Sequence, residues 1–437
     1  MTLMLASRKW GCGLAALLLA ACATPPAEKP LSCPVCAVCS SCSPVSSAPI
    51  DAAPPLEIPP PDAAPTPEPR GKLVRTSWLN LPNWGREDVA PALAAFVQSC
   101  TVLASRPEWR EVCAEAARVQ AQGAPAATFF TDRFEPFKVV NRDESDSGTI
   151  TGYYEPLLHG SRVRTAKYKY PLYAAPQDLI TVDLGEVYPE LKNRRLRGRL
   201  VGNKLVPYWD RGDIERGHEL LRGLEIVWID NPVEVFFLHI QGSGQVLLPD
   251  GSRIRIGYAD QNGHPFRSVA GMLIRRGELR AEQTTLPGMK AWALRHPAKV
   301  SAYLDANPSY VFFKELPNEL SGPIGTLGVP LAAERSLAVD ARVIPLGVPV
   351  YLATTYPGSP QDLQRLMVAQ DTGGAIFGGV RADFYWGFGD EAGTIAGRMK
   401  QAGRMWVLLP KGYNPNAGEA ARPSTTVGCC SNKKESP

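Results

Sequence analysis

Short β-prone segments dominate this chain from residue 137 onward and limit what it can fold into. They read FKVV, TITGYY, YPLYAA, EIVWI, EVFFLHIQ, QVLLP, RIRIGY, VPVYLAT, LMVAQD and MWVLLP. β-branched and aromatic residues fill them, and Gly, Pro, Asp or Asn separate them, which is the pattern of strands and turns. Helical patterns interrupt only briefly, around residues 213–221 and 266–276. The sequence predicts a mainly β fold of closed or partly closed barrels rather than a parallel α/β sheet.

A few helices are expected before the first strand. Asp88 can cap one helix, and Pro107 suits the first turn of a second. Cys100 and Cys113 fall on the apolar faces of these two helices. Either a structural disulfide or two buried free thiols would fit this arrangement.

The first 22 residues resemble a bacterial lipoprotein signal. Arg8 and Lys9 precede an apolar run, Leu14–Ala21, that is too short to span a bilayer. The run ends in LAAC, whose cysteine, Cys22, would be acylated to become the mature N-terminus. Ala23 rather than Asp follows it, which by the lipoprotein sorting rule favours the periplasmic face of the outer membrane. An ordinary signal peptide that happens to carry a cysteine is the alternative.

Residues 23–70 are predicted to be a tether. They are crowded with Pro, Ala and Ser and lack an apolar period. In polyproline geometry of ~3.1 Å per residue, this length reaches on the order of 100 Å. Cys33, Cys36, Cys39 and Cys42 repeat every third residue inside it. Disulfides or cross-links are expected there rather than a metal or iron–sulfur cluster, because no second ligand set accompanies them.

The rest of the composition excludes several classes of function. The net charge of +4 is small and dispersed, so no nucleic-acid partner is expected. No G-x-G-x-x-G before a helix, no Walker loop and no metal-spaced histidine pair occurs, so we predict no cofactor and no metal. In the polar segment YADQNGH, which we expect to be a loop, Asp260 and His264 are lesser catalytic candidates.

Candidate chemistry concentrates in QDTGGAIFGGVRADFYWGFG, residues 370–389. Asp371 and Asp383 lie there among six glycines and a Phe-Tyr-Trp triplet. Asp340 lies thirty residues upstream, in LAVDARVIPLG. Apolar neighbours raise the pKa of a carboxyl, and glycines let a bulky polymer approach closely. The stretch indicates acid catalysis on a glycan.

Two further motifs suit a sugar ligand. In GYYEP, two tyrosines at a strand end can stack on sugar faces, although the same pattern is also typical of tyrosines buried in a strand. In HIQGSGQ, which we expect to end a strand in a flexible turn, polar side chains can bind sugar hydroxyls or acetamido groups, unless the motif is a plain bulged turn. The expected substrate contacts are Tyr153, Tyr154, Gln241, Ser243, Gly373, Gly374 and Tyr385.

Several motifs, in this order, resemble membrane-bound lytic murein transglycosylase A, a family of outer-membrane lipoproteins that cleave peptidoglycan. The resemblance covers roughly residues 75–412. It rests on GYYEP, HIQGSGQ, YADQNGHPFRS, NPSYVFF, AVDARVIPLG and QDTGGAI…RADFYWG. It implies a double-psi β-barrel catalytic domain with N-terminal helices, residues 71–156 plus 308–412. It also implies an inserted second β domain, residues 157–307, a glycan cleft between the two, and a flexible tail, 413–437.

The resemblance also implies roles for the aspartates. Asp383 becomes the catalytic acid, and Asp371 and Asp340 support it. The family cleaves the β-1,4 bond between N-acetylmuramic acid and N-acetylglucosamine and forms a 1,6-anhydro product, with one Asp as acid and then base. This sequence departs from the pattern expected of the family at two places. Glu155 stands where a small hydroxyl residue is expected, and the segment at residues 379–381 is the second.

Two other functions fit the same residues. A two-carboxylate hydrolase of peptidoglycan would use Asp383 as acid and Asp371 as base. A non-catalytic lipoprotein would bind the wall, with its aspartates serving as turn and strand-end residues. The expected partners are peptidoglycan glycan strands, the outer membrane through a lipid anchor, and other murein enzymes.

Overall fold

The computed structural model describes residues 71–188, 191, 196–217 and 220–415. The predicted signal with Cys22, the tether with its four cysteines and nearly all of the predicted tail lie outside these ranges. Within them, no helix combines the length and the apolar character that crossing a bilayer requires.

Short strands and helices alternate through the described ranges. The strands are β1 (Gly71–Arg75), β2 (Phe134–Asn141), β3 (Gly148–Glu155), β4 (Leu157–Ser161), β5 (Tyr170–Tyr173), β6 (Ile180–Val182), β7 (Leu196–Val201), β8 (Lys204–Pro207), β9 (Glu225–Ile229), β10 (Ser243–Leu247), β11 (Arg253–Gln261), β12 (Val311–Leu316), β13 (Ser336–Val339), β14 (Pro349–Thr355), β15 (Asp362–Asp371), β16 (Ala382–Phe388) and β17 (Lys400–Pro410). The helices are α1 (Ala90–Leu103), α2 (Pro107–Gln122), α3 (Ala126–Arg133), α4 (Arg211–Arg216), α5 (Pro232–Gln241), α6 (Val269–Arg275), α7 (Leu286–Arg295), α8 (Val300–Asp305) and α9 (Gly389–Ala396).

The larger sheet closes into a barrel. Its order is β1-β2-β17-β14-β15-β13-β16-β3, and an additional pairing of β17 with β3 joins six of the described strands in a ring. Two of these pairings are parallel, β13 with β15 and β16 with β3. Leu337, Val350, Val368 and Leu408, each from a different barrel strand, are fully buried in one apolar cluster. The predicted mainly β fold is confirmed, and the double-psi connectivity stays a prediction.

A second sheet is inserted between β3 and β13. Its order is β12-β11-β10-β4-β9-β5, and β4 begins only two residues after β3 ends at Glu155. Because β12 ends at Leu316 and belongs to this sheet, the predicted limit of the insert at residue 307 is too early. Helices α4 to α8 also lie in the insert, so it mixes helix and strand, where the sequence predicted a β domain.

One predicted strand, EVFFLHIQ, is wrong, because these residues form most of helix α5. Asn231 caps the helix with a side chain that accepts from the backbone N–H of Val233 and Glu234. Gly242, in the left-handed conformation, ends it. The apolar side chains are buried on several sides of the helix, so no amphipathic period distinguishes it from a buried strand.

The two predicted N-terminal helices are present as α1 and α2 and are tied to the barrel. Val89 rather than Asp88 is the N-cap residue of α1, and Asp88 Oδ1 accepts from the Ala90 backbone N–H at 3.0 Å. Cys100 of α1 and Cys113 of α2 form a disulfide, which decides between the two alternatives. Gln370, fully buried in β15, donates from Nε2 to the Ala95 carbonyl and the Ser99 hydroxyl of α1, both at 2.9 Å. Helix α1 is therefore bonded to the residue that precedes Asp371.

The disulfide is expected to contribute to stability. It joins cysteines 13 residues apart, and a loop of that length predicts roughly 3 kcal/mol of unfolding free energy from restricted chain entropy. We expect the double variant Cys100→Ser/Cys113→Ser to lose about 2–3 kcal/mol in urea unfolding. Reductant should lower the stability of the wild type by a similar amount and leave the double variant unchanged. A wild type whose midpoint ignores reductant would contradict this expectation.

Candidate active site

Four neighbouring barrel strands bring the candidate residues into one row. Asp371 of β15 is paired with Ala338 of β13, Ala338 with Asp383 of β16, and Asp383 with Thr151 of β3. A register shift at Gln370 turns that side chain to α1 and leaves Asp371 in the row. Adjacent strands are about 4.8 Å apart, so the backbones of the two aspartates are separated by roughly 10 Å across the small Ala338.

Asp383 occupies the centre of this row. Its Oδ1 accepts a hydrogen bond of 2.7 Å from the Thr151 hydroxyl, the only hydrogen bond to its carboxylate within the described ranges. Burial raises the pKa of Asp383 to about 6, while the Thr151 hydroxyl and the charge of Arg381 oppose that rise and Asp371 adds to it. A carboxyl of this kind is partly protonated near neutral pH and can act as a general acid.

Asp371 is held by four donors. Its Oδ1 accepts from the Thr326 backbone N–H at 2.9 Å, the Thr326 hydroxyl at 2.8 Å and the Thr372 backbone N–H at 2.9 Å. Its Oδ2 accepts from the Tyr153 hydroxyl at 3.2 Å. Burial raises its pKa, and these bonds oppose the rise. The carboxylate organises its neighbours and has little acceptor capacity left for a substrate proton.

Asp340 is buried and anchors the glycine-rich loop. Its two oxygens accept from Nε and Nη2 of Arg342, both at 2.7 Å, and Oδ2 also accepts from the Gly378 backbone N–H at 2.9 Å. Burial alone would raise the pKa of Asp340, but these bonds and the Arg342 charge together hold it below its usual value. It therefore stays an anion and fixes the loop after β15.

The aromatic triplet is divided between two faces of β16. The Tyr385 ring lies 5.2 Å from the Tyr153 ring, and both are buried beside the aspartates. Burial, with Asp371 and Asp383 adding, raises the pKa of Tyr153 well above its usual value, so it stays a phenol. Phe384 and Trp386 pack against each other at 4.4 Å in the barrel core. Only Tyr385 of the triplet belongs to the site.

Three predicted substrate contacts lie at the junction of barrel and insert. The backbone N–H of Tyr154 donates to Gln241 Oε1 at 3.1 Å, so this amide oxygen joins the two parts of the molecule. The Tyr154 ring is buried against α9, where a side chain at Gly393 would meet it. Ser243 begins β10 instead of lying in a turn after a strand, which corrects the predicted setting of HIQGSGQ.

The departure at Glu155 has a structural explanation. Its carboxylate is buried, accepts from Gln245 Nε2 at 3.1 Å and lies 3.5 Å from Arg255 Nε. Burial raises the pKa of Glu155, while the Arg255 charge and the Gln245 bond oppose it. This polar group of the barrel is matched by partners on β10 and β11 of the insert.

The structure does not bring Asp260 or His264 to the row. Asp260 forms an ion pair with Arg197 at 2.9 Å, and His264 Nε2 lies 2.7 Å from the Tyr208 carbonyl, all within the insert. Residues 258–261 also belong to strand β11, where the sequence predicted a loop. Both candidates are explained by packing within the insert.

The glycines of the stretch have different roles. Gly374 is exposed with open space where a side chain would project, as a substrate-facing loop requires. A side chain at Gly373 would contact Ile376, and one at Gly379 would lie 2.6 Å from the Val140 carbonyl oxygen. Close backbone packing therefore accounts for Gly379, which is a correction to the idea that all six glycines admit a polymer.

Sequence reasoning missed Thr151 and Arg381. Thr151 stands two residues before Tyr153, so the alternation of β3 places both on the face of Asp383. Arg381 comes immediately before β16, two residues before Asp383, and its charge lowers the pKa of that carboxyl. The period of two was a usable signal, but nothing in the sequence paired β3 with β16.

Known families match both parts of this arrangement. Residues 149–314 match the MltA specific insert domain and residues 335–409 match the 3D domain, together more than half of the chain. Membrane-bound lytic murein transglycosylase A of Escherichia coli (strain K12) is 33% identical over 282 residues, 63% of this chain and 69% of its own length.

Solved structures of MltA are also similar to this chain. MltA from Neisseria gonorrhoeae, in a monoclinic form, superposes with a TM-score of 0.69 at 38% identity over 80% of this chain and 97% of that chain. Escherichia coli MltA with bound chitohexaose superposes with a TM-score of 0.60 at 27% identity over 78% and 94% of the two chains.

Removing the Thr151 hydroxyl should change how Asp383 titrates. The hydroxyl stabilises the carboxylate, so Thr151→Val should raise the pKa of Asp383 above about 6 and keep the acid form to higher pH. Carbon NMR titration of labelled aspartates, with Asp383→Asn for assignment, measures this. Thr149→Val, an exposed position of the same strand and residue type, is the control and should leave the titration unchanged. A downward or absent shift in Thr151→Val would show that the hydrogen bond does not stabilise the anion.

Proposed function

Because this chain belongs to the membrane-bound lytic murein transglycosylase A family, we propose that it is a peptidoglycan lytic transglycosylase with Asp383 as its single acid and base. Its relatives carry the name of an enzyme that acts on murein, and one of them is solved with a β-1,4-linked N-acetylglucosamine oligomer, chitohexaose. Glycan binding by this fold supports a glycan substrate here.

The observation that carries the assignment is the contrast between three buried or partly buried aspartates. Asp340 is neutralised by Arg342, and Asp371 accepts four hydrogen bonds. Asp383 accepts one within the described ranges, and its pKa is raised to about 6. Its raised pKa and single hydrogen bond make it the best suited of the three to hold a proton near neutral pH and then release it to a substrate.

The chemistry needs only one such group. Asp383 donates its proton to the glycosidic oxygen between N-acetylmuramic acid and N-acetylglucosamine, and the bond to the anomeric carbon breaks. The resulting carboxylate, stabilised by the Thr151 hydroxyl, then takes the proton of the muramoyl 6-hydroxyl. That oxygen closes on the anomeric carbon to give a 1,6-anhydro sugar. Asp383 ends as it began, protonated, and no water is consumed.

The hydrolase alternative fits the geometry less well. A hydrolase needs a second carboxylate to act as base or nucleophile, at ~5.5 Å for retention or ~6.5–9.5 Å for inversion. Asp371 is the neighbouring candidate, and its oxygens are already occupied by Thr326, Thr372 and Tyr153. A purely wall-binding lipoprotein would not require a carboxyl whose proton affinity is raised by burial.

The N-terminal sequence supports a proposal for the cellular setting. We propose that Cys22 carries the lipid anchor in the outer membrane and that residues 23–70 span the distance to the peptidoglycan layer. Relatives that are named membrane-bound support this placement. The barrel and its insert, residues 71–415, would then hold the glycan strand between them, and other murein enzymes are proposed partners.

Replacing the catalytic carboxyl should abolish cleavage. We expect Asp383→Asn to lower the release of soluble muropeptides from purified sacculi by about 10²–10⁴-fold, the usual contribution of general acid–base catalysis. Asp371→Asn is the matched control and should retain more activity, because it removes a positioning group. Unfolding curves of both variants show whether the fold is kept. Undiminished release by a folded Asp383→Asn protein would refute the assignment.

The product should identify the reaction class. A transglycosylase yields anhydromuramoyl ends that are one water lighter than the reducing ends from a hydrolase. Mass spectrometry of sacculus digests made in ¹⁸O-labelled water should find the anhydro form and no incorporated label. Labelled reducing ends would establish hydrolysis and return Asp371 to the role of base.

A further inference from the structure

Arg381 immediately precedes strand β16, two residues before Asp383, and is close enough for its charge to lower the pKa of that carboxyl. Ala382, between them, is paired with Ile150 of β3 on one side and Val339 of β13 on the other. By this register, Arg381 stands next to Asp340, one residue beyond β13. Residues two apart in a strand share a face and are separated by roughly 7 Å. A guanidinium therefore borders the proposed acid.

Hydrogen bonds hold the guanidinium of Arg381 in place, but no ion pair within the described ranges balances its charge. Its Nη1 donates to the carbonyls of Thr149 and Ala382, which fixes its position. Within the described ranges, no carboxylate lies within 4 Å of it, and Nε and Nη2 make no hydrogen bond. The nearby Asp340 is engaged by Arg342, whose charge is thereby balanced.

An unbalanced, partly buried cation is costly unless an anion meets it. Burial lowers the pKa of Arg381 and the charge of Asp383 opposes this, yet an arginine remains charged at any physiological pH. Removing a charge from water costs free energy that a partner carboxylate can offset. A planar guanidinium whose Nε–Nη2 edge is unused is the side chain best suited to bind a carboxylate in a bidentate manner.

We propose that Arg381 binds a carboxylate of the glycan substrate in the sugar position next to Asp383. This inference rests on the proposed function. Peptidoglycan offers two sources of carboxylate. One is the 3-O-lactyl group of N-acetylmuramic acid when no peptide is attached, and the other is the stem peptide. Oligomers of N-acetylglucosamine carry neither. Arg381 would thus distinguish the wall polymer from a neutral chitin-like chain.

Calorimetric binding to an inactive protein separates this role from catalysis. The parent is the full chain with Asp383→Asn, and the ligands are chitohexaose, a peptide-free glycan of alternating N-acetylglucosamine and N-acetylmuramic acid, and a peptide-bearing glycan strand. Adding Arg381→Met should weaken binding of a carboxylate-bearing glycan on the order of tenfold or more, as expected for a hydrogen bond to a charged group. Chitohexaose should bind equally to both proteins. Arg381→Lys keeps the charge and should bind the carboxylate-bearing glycan with an intermediate affinity. Arg404→Met, which removes an exposed arginine of β17, is the control.

The ligands decide between the two sources of charge. Weakening with the peptide-free glycan supports the lactyl carboxylate, and weakening only with the peptide-bearing strand supports the stem peptide. Equal weakening for all three ligands, or for none, overturns the proposal. Cleavage of a ligand by the Asp383→Asn parent would be seen as new products. That result would count against Asp383 as the acid without altering the ratio of affinities.

Discussion

The parallel pairing of β3 with β16 is the contact on which the site depends. It joins residues on either side of the insert and sets Thr151 beside Asp383 and Tyr153 beside Tyr385. Strand β3 also pairs with β17, so the same element closes the barrel. Immediately after this pairing the chain enters the insert, whose Gln241 bonds back to the Tyr154 backbone. Barrel closure, site geometry and the placement of the insert are therefore fixed by one strand.

Within this barrel, different hydrogen-bond donors give three aspartate side chains different chemistry. Asp340 faces a guanidinium, Asp371 faces hydroxyls and backbone N–H groups, and Asp383 faces one threonine hydroxyl. All three lose water contact, which raises a carboxyl pKa, but only Asp340 has enough compensation to fall below its usual value. The number of donors and their charge, more than residue type, separate a structural anion from a group that can carry a proton.

Much of the fold could be predicted from the sequence, because barrel strands are short, β-branched and bounded by turn residues. Helix α5 was missed since its apolar residues face the core on several sides, although the Asn231 and Gly242 caps were visible. The aspartates could be predicted from their motifs. The role of Thr151 could not, since it depends on a strand pairing between positions 232 residues apart. The Glu155–Arg255 contact could not be predicted for the same reason, because only the tertiary fold brings β3 and β11 together.

That long separation also determines when the site can exist. Thr151 and Tyr153 are synthesised well before Asp383, and the whole insert lies between them. Contacts between distant parts of a chain form late, because the loop that joins them must close at an entropic cost. The proposed acid, Asp383, can meet the Thr151 hydroxyl only after the C-terminal strands have been made and the barrel has closed. A chain truncated before β16 would keep Tyr153 and Tyr154 but would lack both Asp383 and the strand that pairs with β3, so the site is complete only when the C-terminal strands are present.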